Sequence, residues 1–258
     1  MPSRLRGRAR YEALMPKRRR GALRERYRAG FPRQVSYKVS KFSRTTSIVL
    51  NWDEQRGLSY GGTISDTGLF SVAPTQYGQG LSMHFELSQC SLNFTNGSTV
   101  LMSLPNITEL TALWDQYRVD AVHIKWVFTN NVAIVASGAQ IGPWAMLPIL
   151  MHCTDYDDAA PAANAQELLQ RPETKLRRHG TVYTHTIRNP KFSVGVQLPG
   201  STAQASVQTG WLDCAQPLVE HFGYKVWADN PTKTPASLFC LGFFNVYVTY
   251  DFSLKGVR

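Results

Sequence analysis

Between Trp114 and Phe128 the chain reads WDQYRVDAVHIKWVF, and Val122, Ile124, Trp126 and Phe128 alternate there with His123, Lys125 and Val127. A period of two is the pattern of a half-buried strand, because successive side chains of a strand point to opposite faces. The phase slips at Asp120 and Ala121, which predicts a β-bulge. A second long run behaves the same way: Phe244, Val246, Val248, Tyr250 and Phe252 alternate with Asn245, Tyr247, Thr249 and Asp251. Strands of this kind need partners to bury one face, so the rest of the chain is expected to supply them.

Further strands are expected over residues 45–52, 81–94, 144–153, 180–187, 219–227 and 238–252, with turns between them. In 81–94, Leu81, Met83, Phe85 and Leu87 oppose Ser82, His84, Glu86 and Ser88, which predicts one buried face and one that is wet or covered by a neighbour. Pro148 predicts an edge or bulge position in 144–153. Short helices are expected within 106–114, capped by Asn106 or Thr108, and within 160–169. Residues 57–80, glycine-rich, and 193–208, polar, read as long connections. Seven or eight strands joined by crossing connections predict an all-β fold: a two-sheet antiparallel sandwich of the eight-stranded jelly-roll type.

Charge divides the chain in two. Residues 1–44 hold fifteen Lys and Arg against Glu12 and Glu25, a net +13, whereas the remainder carries −3. The boundary expected from this is a basic arm over 1–44 and a folded domain over 45–258. The arm's cations are Arg4, Arg6, Arg8, Arg10, Lys17, Arg18, Arg19, Arg20, Arg24, Arg26, Arg28, Arg33, Lys38, Lys41 and Arg44. Their density implies a polyanionic partner, so all fifteen are candidate nucleic-acid contacts of low sequence specificity and steep salt dependence. Tyr11, Tyr27 and Phe31 interleave them and can stack on unpaired bases. Self-repulsion is expected to keep the arm open, with a reach of about 145 Å extended and about 40 Å as a coil.

Catalytic signatures are missing: the sequence has no phosphate-binding GxxxxGKS loop, no GxGxxG and no GxSxG elbow. His123 and His185 stand singly on predicted strands, as hydrogen-bonded structural histidines do. His152, Asp155, Asp157 and Asp158 form the densest acidic cluster. Two readings of it are open, a loop that turns on its Asp side chains and a site for a hard cation. Arg177, Arg178 and His179, with Arg171 and Lys175 nearby, make a smaller basic patch suited to nucleic acid, a cell-surface polyanion or a neighbour's acidic loop. Cys90, Cys153, Cys214 and Cys240 lack metal or redox spacing and read as buried thiols. Asn93, Asn96 and Asn106 begin sequons, but the N-terminus has no apolar core of a signal peptide, so no glycosylation is expected. No apolar run approaches the roughly 20 residues of a membrane span, so no membrane insertion is expected.

The basic arm, the segment DQYRVDAVHIKWVF with Trp114, Tyr117 and Arg118 at its entry, the apolar strand ending MHCTDYDD and the closing FNVYVTYDFSLKG together resemble the capsid proteins of circoviruses and related small circular single-stranded DNA viruses. The resemblance spans most of the chain, although this arm is less arginine-dense than in typical members. It implies a single viral jelly roll, no enzymatic activity, no cofactor, and an icosahedral shell of sixty copies with the arm on the genome. It also implies partners: further copies of the chain, single-stranded DNA, and nuclear import receptors reading Lys17, Arg18, Arg19 and Arg20. An attachment factor on the host-cell surface is left unnamed, and the expected locations are the virion and the host nucleus. Sixty arms of +13 supply about 780 positive charges, enough to offset a comparable number of phosphates. Alternative readings are the capsid protein of a small positive-strand RNA virus, a non-viral nucleic-acid-binding sandwich, and a sandwich-fold enzyme or sugar-binding protein.

Overall fold

A computed structural model describes residues 38–53, 55–130, 149–155, 160–178, 182–198, 201–207, 210–229 and 239–257, with 193–198 and 201–207 described by their backbone. Eight strands carry the fold: β1 (Ser40–Asp53), β2 (Gly80–Phe85), β3 (Trp114–Asn130), β4 (Ile149–Cys153), β5 (Lys175–Arg178), β6 (Tyr183–Arg188), β7 (His221–Asp229) and β8 (Cys240–Val257). They pair antiparallel as β1 with β8, β2 with β7, β3 with β6 and β4 with β5. First pairs with last and the pairs nest inward, which is the topology of a long two-stranded ribbon rolled into a jelly roll. The rolling yields two sheets. The first runs β6-β3-β8-β1 and is extended by Gly57–Tyr60 and Gln76–Gly78; the second runs β5-β4-β7-β2 and is extended by Gln89–Phe94 and Thr99–Ser103.

The alternating residues fill the space between the sheets. Val122, Ile124 and Trp126 of β3, Val246, Val248 and Tyr250 of β8, and Leu50 and Trp52 of β1 are fully buried against Leu81, Met83 and Phe85 of β2 and Val226 of β7. Burying each such side chain contributes about 2 kcal/mol. Phe244 collects edge-on contacts from Trp126 at 5.5 Å and Trp52 at 6.4 Å between centroids. Tyr250 crosses between the sheets and donates its hydroxyl to the Gln89 carbonyl at 3.1 Å. Burying aromatic rings with their polar tips satisfied is how a sandwich of this size gains both area and register.

The predicted bulge is present. Ala121 pairs with Asp251 and Val119 with Phe252, which leaves Asp120 as the extra residue. Its freed carbonyl accepts the Asn189 amide at 2.9 Å, just past the end of β6. Among the described residues the helices are α1 (Ile107–Leu113) and α2 (Ala165–Leu169). Asn106 caps α1 in the left-handed conformation without a side-chain bond, whereas Asn164 caps α2 by accepting the Glu167 amide at 2.9 Å.

Four expectations are corrected, the first being that residues 57–80, expected as a connection, contribute the strands Gly57–Tyr60 and Gln76–Gly78 to the first sheet. The single strand over 81–94 is two strands, β2 and Gln89–Phe94, joined where the Glu86 amide donates to the Gln89 carbonyl at 2.9 Å. The alternation runs through the turn because Leu87 also lies in the core, and Ser82, His84 and Glu86 on the second face are buried too. The connection over 193–208 contains a hairpin, Lys191–Leu198 with Ser201–Val207. Its ladder is satisfied by backbone, so its polar composition carried no strand signal. The first strand starts at Ser40 and not at Thr45, because Ser40 to Arg44 pair with Leu254 to Tyr250. Residues 144–148, including Pro148, lie outside the described residues.

Candidate nucleic-acid interface

Of the fifteen arm cations, only Lys38, Lys41 and Arg44 fall within the described residues; Arg4 through Arg33 lie outside them, as do Tyr11, Tyr27 and Phe31. Lys38 is exposed where the chain enters β1. Lys41 stands on the solvent face of the first sheet opposite Ser253, and Arg44, half-buried, stands on the other face opposite Tyr250. Arg44 Nη1 donates to the Ser43 carbonyl at 2.9 Å.

Cross-strand rows organise that solvent face. Lys41, Ser253 and Arg118 form one row, Ser43, Asp251, Ala121 and Arg188 the next, then Thr45, Thr249, His123 and Thr186, then Ser47, Tyr247, Lys125 and Thr184. The bulge opens a depression of about 350 Å³ between the first two rows, lined by Lys41, Ser43, Asp120 and Asp251. Its carboxylates are engaged: Asp120 accepts from Arg118 Nε at 2.7 Å and from the Ser253 hydroxyl, and Asp251 Oδ2 lies 3.0 Å from His123 Nε2. His123 Nδ1 meets Thr186 Oγ1 at 2.9 Å. His123 is therefore a hydrogen-bonded face residue with both ring nitrogens occupied.

At Asp155 the acidic cluster follows neither reading: the side chain is held in a buried ion pair. That side chain is 1% exposed, and the carboxylate lies 2.7 Å from Lys225 Nζ and 2.8 Å from Arg171 Nη1. Two cations on one carboxylate leave it no charge for a metal ion. Among the described residues no group of three His, Cys, Asp or Glu is placed to hold a metal, and Asp157 and Asp158 lie outside them. Arg171 is thereby withdrawn from the predicted basic patch. Lys175 and Arg177 are exposed, Arg177 sits 5.7 Å from the Tyr183 ring centre, and His179 lies outside the described residues.

His152, buried, and His185, half-buried, join one polar chain with Tyr183 and Thr154. Tyr183 Oη lies 3.0 Å from His152 Nδ1 and 3.2 Å from His185 Nδ1, and His185 Nε2 lies 3.0 Å from Thr154 Oγ1. Burial, helped by the charge of Lys175, pushes the His185 imidazole down to about 4, so it is neutral at physiological pH. No nucleophile or carboxylate completes a catalytic constellation with it in these contacts. The four cysteines are free and buried, and burial pushes the Cys90 and Cys240 thiols up to about 12, which removes thiolate chemistry. Among the described residues no helix is long and apolar enough to cross a membrane.

Sequence reading missed Arg188, Trp211, Tyr247 and Lys255 as members of the same face. Lys255 lies 4.2 Å and Arg118 5.1 Å from the Trp211 ring centre, and Lys125 lies 6.0 Å from that of Tyr247. The outward phase of β8 was a readable signal for Tyr247; Trp211 had none, since Leu212–Asp213 reaches β3 only through tertiary pairing.

Among solved structures, the chain resembles the 60-mer of the BFDV capsid protein, with 13% identity, a TM-score of 0.49, and coverage of 85% of this chain and 95% of that one. It also resembles a semi-empty virus-like particle of the giant freshwater prawn Macrobrachium rosenbergii nodavirus (9% identity, TM-score 0.41, 88% and 98% covered). Cocksfoot mottle virus gives 11% identity, a TM-score of 0.41, and coverage of 86% and 97%. Among curated protein sequences, none matches it. A family model described as Circovirus capsid protein matches residues 6–258. Spanning almost the whole chain, with the jelly-roll pairing laid over it, that match means that the chain belongs to the circovirus capsid protein family, a viral structural protein and virion component, not an enzyme.

Proposed function

We propose that the chain self-assembles into a small icosahedral shell of sixty copies and packages single-stranded DNA through its basic arm, with Lys17, Arg18, Arg19 and Arg20 serving also as a nuclear import signal read in the host cell. The observation that carries this reading is the segregation of charge, +13 on residues 1–44 against −3 on the rest. A near-neutral body associates with its own copies without strong repulsion, while the arm neutralises the polyanion. The pairing of β1 supports a working boundary for the arm at residue 37, because Lys41 and Arg44 are built into the sheet.

Phosphate recognition by such an arm is shared by DNA and RNA, which keeps the RNA-genome reading as the rival within the same class. The test is to purify the full chain, image it by negative stain and extract nucleic acid after digestion of the intact material. Closed particles that protect a DNase-sensitive, RNase-resistant strand support the proposal. Protected RNA from cells replicating the viral genome, or a chain that stays monomeric and nucleic-acid-free across salt and pH, contradicts it. Import is tested separately with a fluorescent fusion, in which replacing Lys17, Arg18, Arg19 and Arg20 by Ala should abolish nuclear accumulation.

A further inference from the structure

The two sheets differ in how their solvent faces are finished. On the second sheet, Met151, Cys153 and Trp227 turn outward but are covered by Ala162 and by Leu168 of α2, forming a small second core. No comparable layer of described residues covers the first sheet. Its outward rows carry hydroxyls (Ser43, Thr45, Ser47, Thr249, Thr186) among the cations Lys41, Lys125, Arg188 and Lys255. Among the described residues no ion pair engages any of these four cations, whereas Arg118, Arg171 and Lys225 are all paired. The face's acidic groups are fewer, and Asp120 and Asp251 are already hydrogen-bonded by Arg118 and His123.

Aromatic rings sit at both ends of this field. Tyr247, 39% exposed, lies in the row of Lys125, and Trp211 lies beside Lys255 and Arg118 about 20 Å further along the strands. Cations outside any ion pair among the described residues, hydroxyl donors and aromatic rings on one open surface are the ingredients of sequence-tolerant single-strand binding. β1 begins at the Trp211 end of this field, where Ser40 pairs with Leu254.

We infer that the solvent face of the first sheet, through Lys41, Lys125, Arg188, Lys255, Tyr247 and Trp211, is a second contact surface for single-stranded nucleic acid. The cations neutralise phosphates along the strands and the two rings stack on bases. The inference rests on the packaging function proposed above and adds the body of the protein to the arm. A polar, basic face suits a polyanion better than a second copy of itself, which would bring like charges together.

Photocrosslinking tests it without altering the protein. Full-length chain is assembled with a thymidine oligonucleotide carrying 5-bromodeoxyuridine, irradiated, and its crosslinked peptides are mapped by mass spectrometry. Crosslinks at Tyr247 or Trp211, beside those in residues 1–37, support the inference. Crosslinks confined to residues 1–37 overturn it while leaving packaging by the arm intact, and the absence of any protected oligonucleotide overturns both. As a second measurement, the full-length Lys125→Gln/Lys255→Gln variant should lower the slope of log affinity against log salt by about 1.4, for two lost phosphate contacts on a single strand. An unchanged slope counts against the surface.

Discussion

Lys225 Nζ lies 2.7 Å from Asp155 Oδ2, and both side chains are only 1% exposed. This is a desolvated ion pair, joining β7 to the residue just beyond β4, and Arg171 adds a second cation from the rim. Removing the carboxylate leaves the buried Lys225 ammonium without its counter-charge, which costs about 3–5 kcal/mol, whereas replacing the pair by apolar groups of similar volume is far milder. Asp155→Leu is therefore expected to destabilise the body by that amount. Lys225→Met with Asp155→Leu should recover most of the loss, as read from denaturant midpoints of the dissociated subunit.

Gly242 sets the approach of β8 to β3. A methyl group there would sit 2.5 Å from Phe128 Cζ and 2.8 Å from the Thr129 carbonyl, and the carbonyl cannot retreat without disturbing the pairing of Gly242 with Asn130. Gly242→Ala should cost about 1–3 kcal/mol by overpacking. Gly210→Ala, with open space around the added methyl, is the control and should stay within about 0.5 kcal/mol. Thermal unfolding of the two variants side by side checks the difference.

Acid should weaken the fold through two histidines. His221 Nδ1 lies 3.0 Å from the Phe85 carbonyl and 2.9 Å from that of Val219, which fixes the proton there. Its Nε2 is buried with no hydrogen-bond partner, so the charged form has nowhere to place a second proton, and burial pushes the group down to about 4. His185 is likewise down at about 4. Both values lie below the ordinary 6.5, so the folded state binds fewer protons than the unfolded one. Their contribution is complete above pH 6.5 and is lost as pH falls toward 4. The loss is up to about 3 kcal/mol for His221 and less for the part-exposed His185. Unfolding free energies at pH 7.5 and 4.5 should converge in a His221→Gln/His185→Gln variant; an equally steep pH dependence in that variant would contradict the assignment.

Much of the fold was legible because strand periodicity reports burial directly. Val122, Ile124 and Trp126 face the core as their spacing indicated, and the phase slip located the bulge at Asp120. Local pattern failed where a turn kept the alternation in phase, as at Glu86 to Gln89, and where a ladder formed from polar residues, as in the hairpin over Lys191–Leu198 and Ser201–Val207. Charge density marked residues 1–44 as one basic segment, yet a net count could not separate cations built into a strand, such as Lys41, from those preceding it. Lys225 and Asp155 are 70 residues apart in the chain and meet only through the β4–β7 pairing, so no sequence window contained their ion pair.

The central claim, that the body builds the shell while the arm holds the genome, is tested most directly by deleting residues 1–37 and leaving β1 whole. Particles of the truncated chain should be compared with full-length particles by sedimentation and by the ratio of absorbance at 260 and 280 nm after nuclease treatment. Shells of the same size that have lost most of their protected nucleic acid are expected. Truncated shells that protect as much nucleic acid as the full-length ones would contradict the claim.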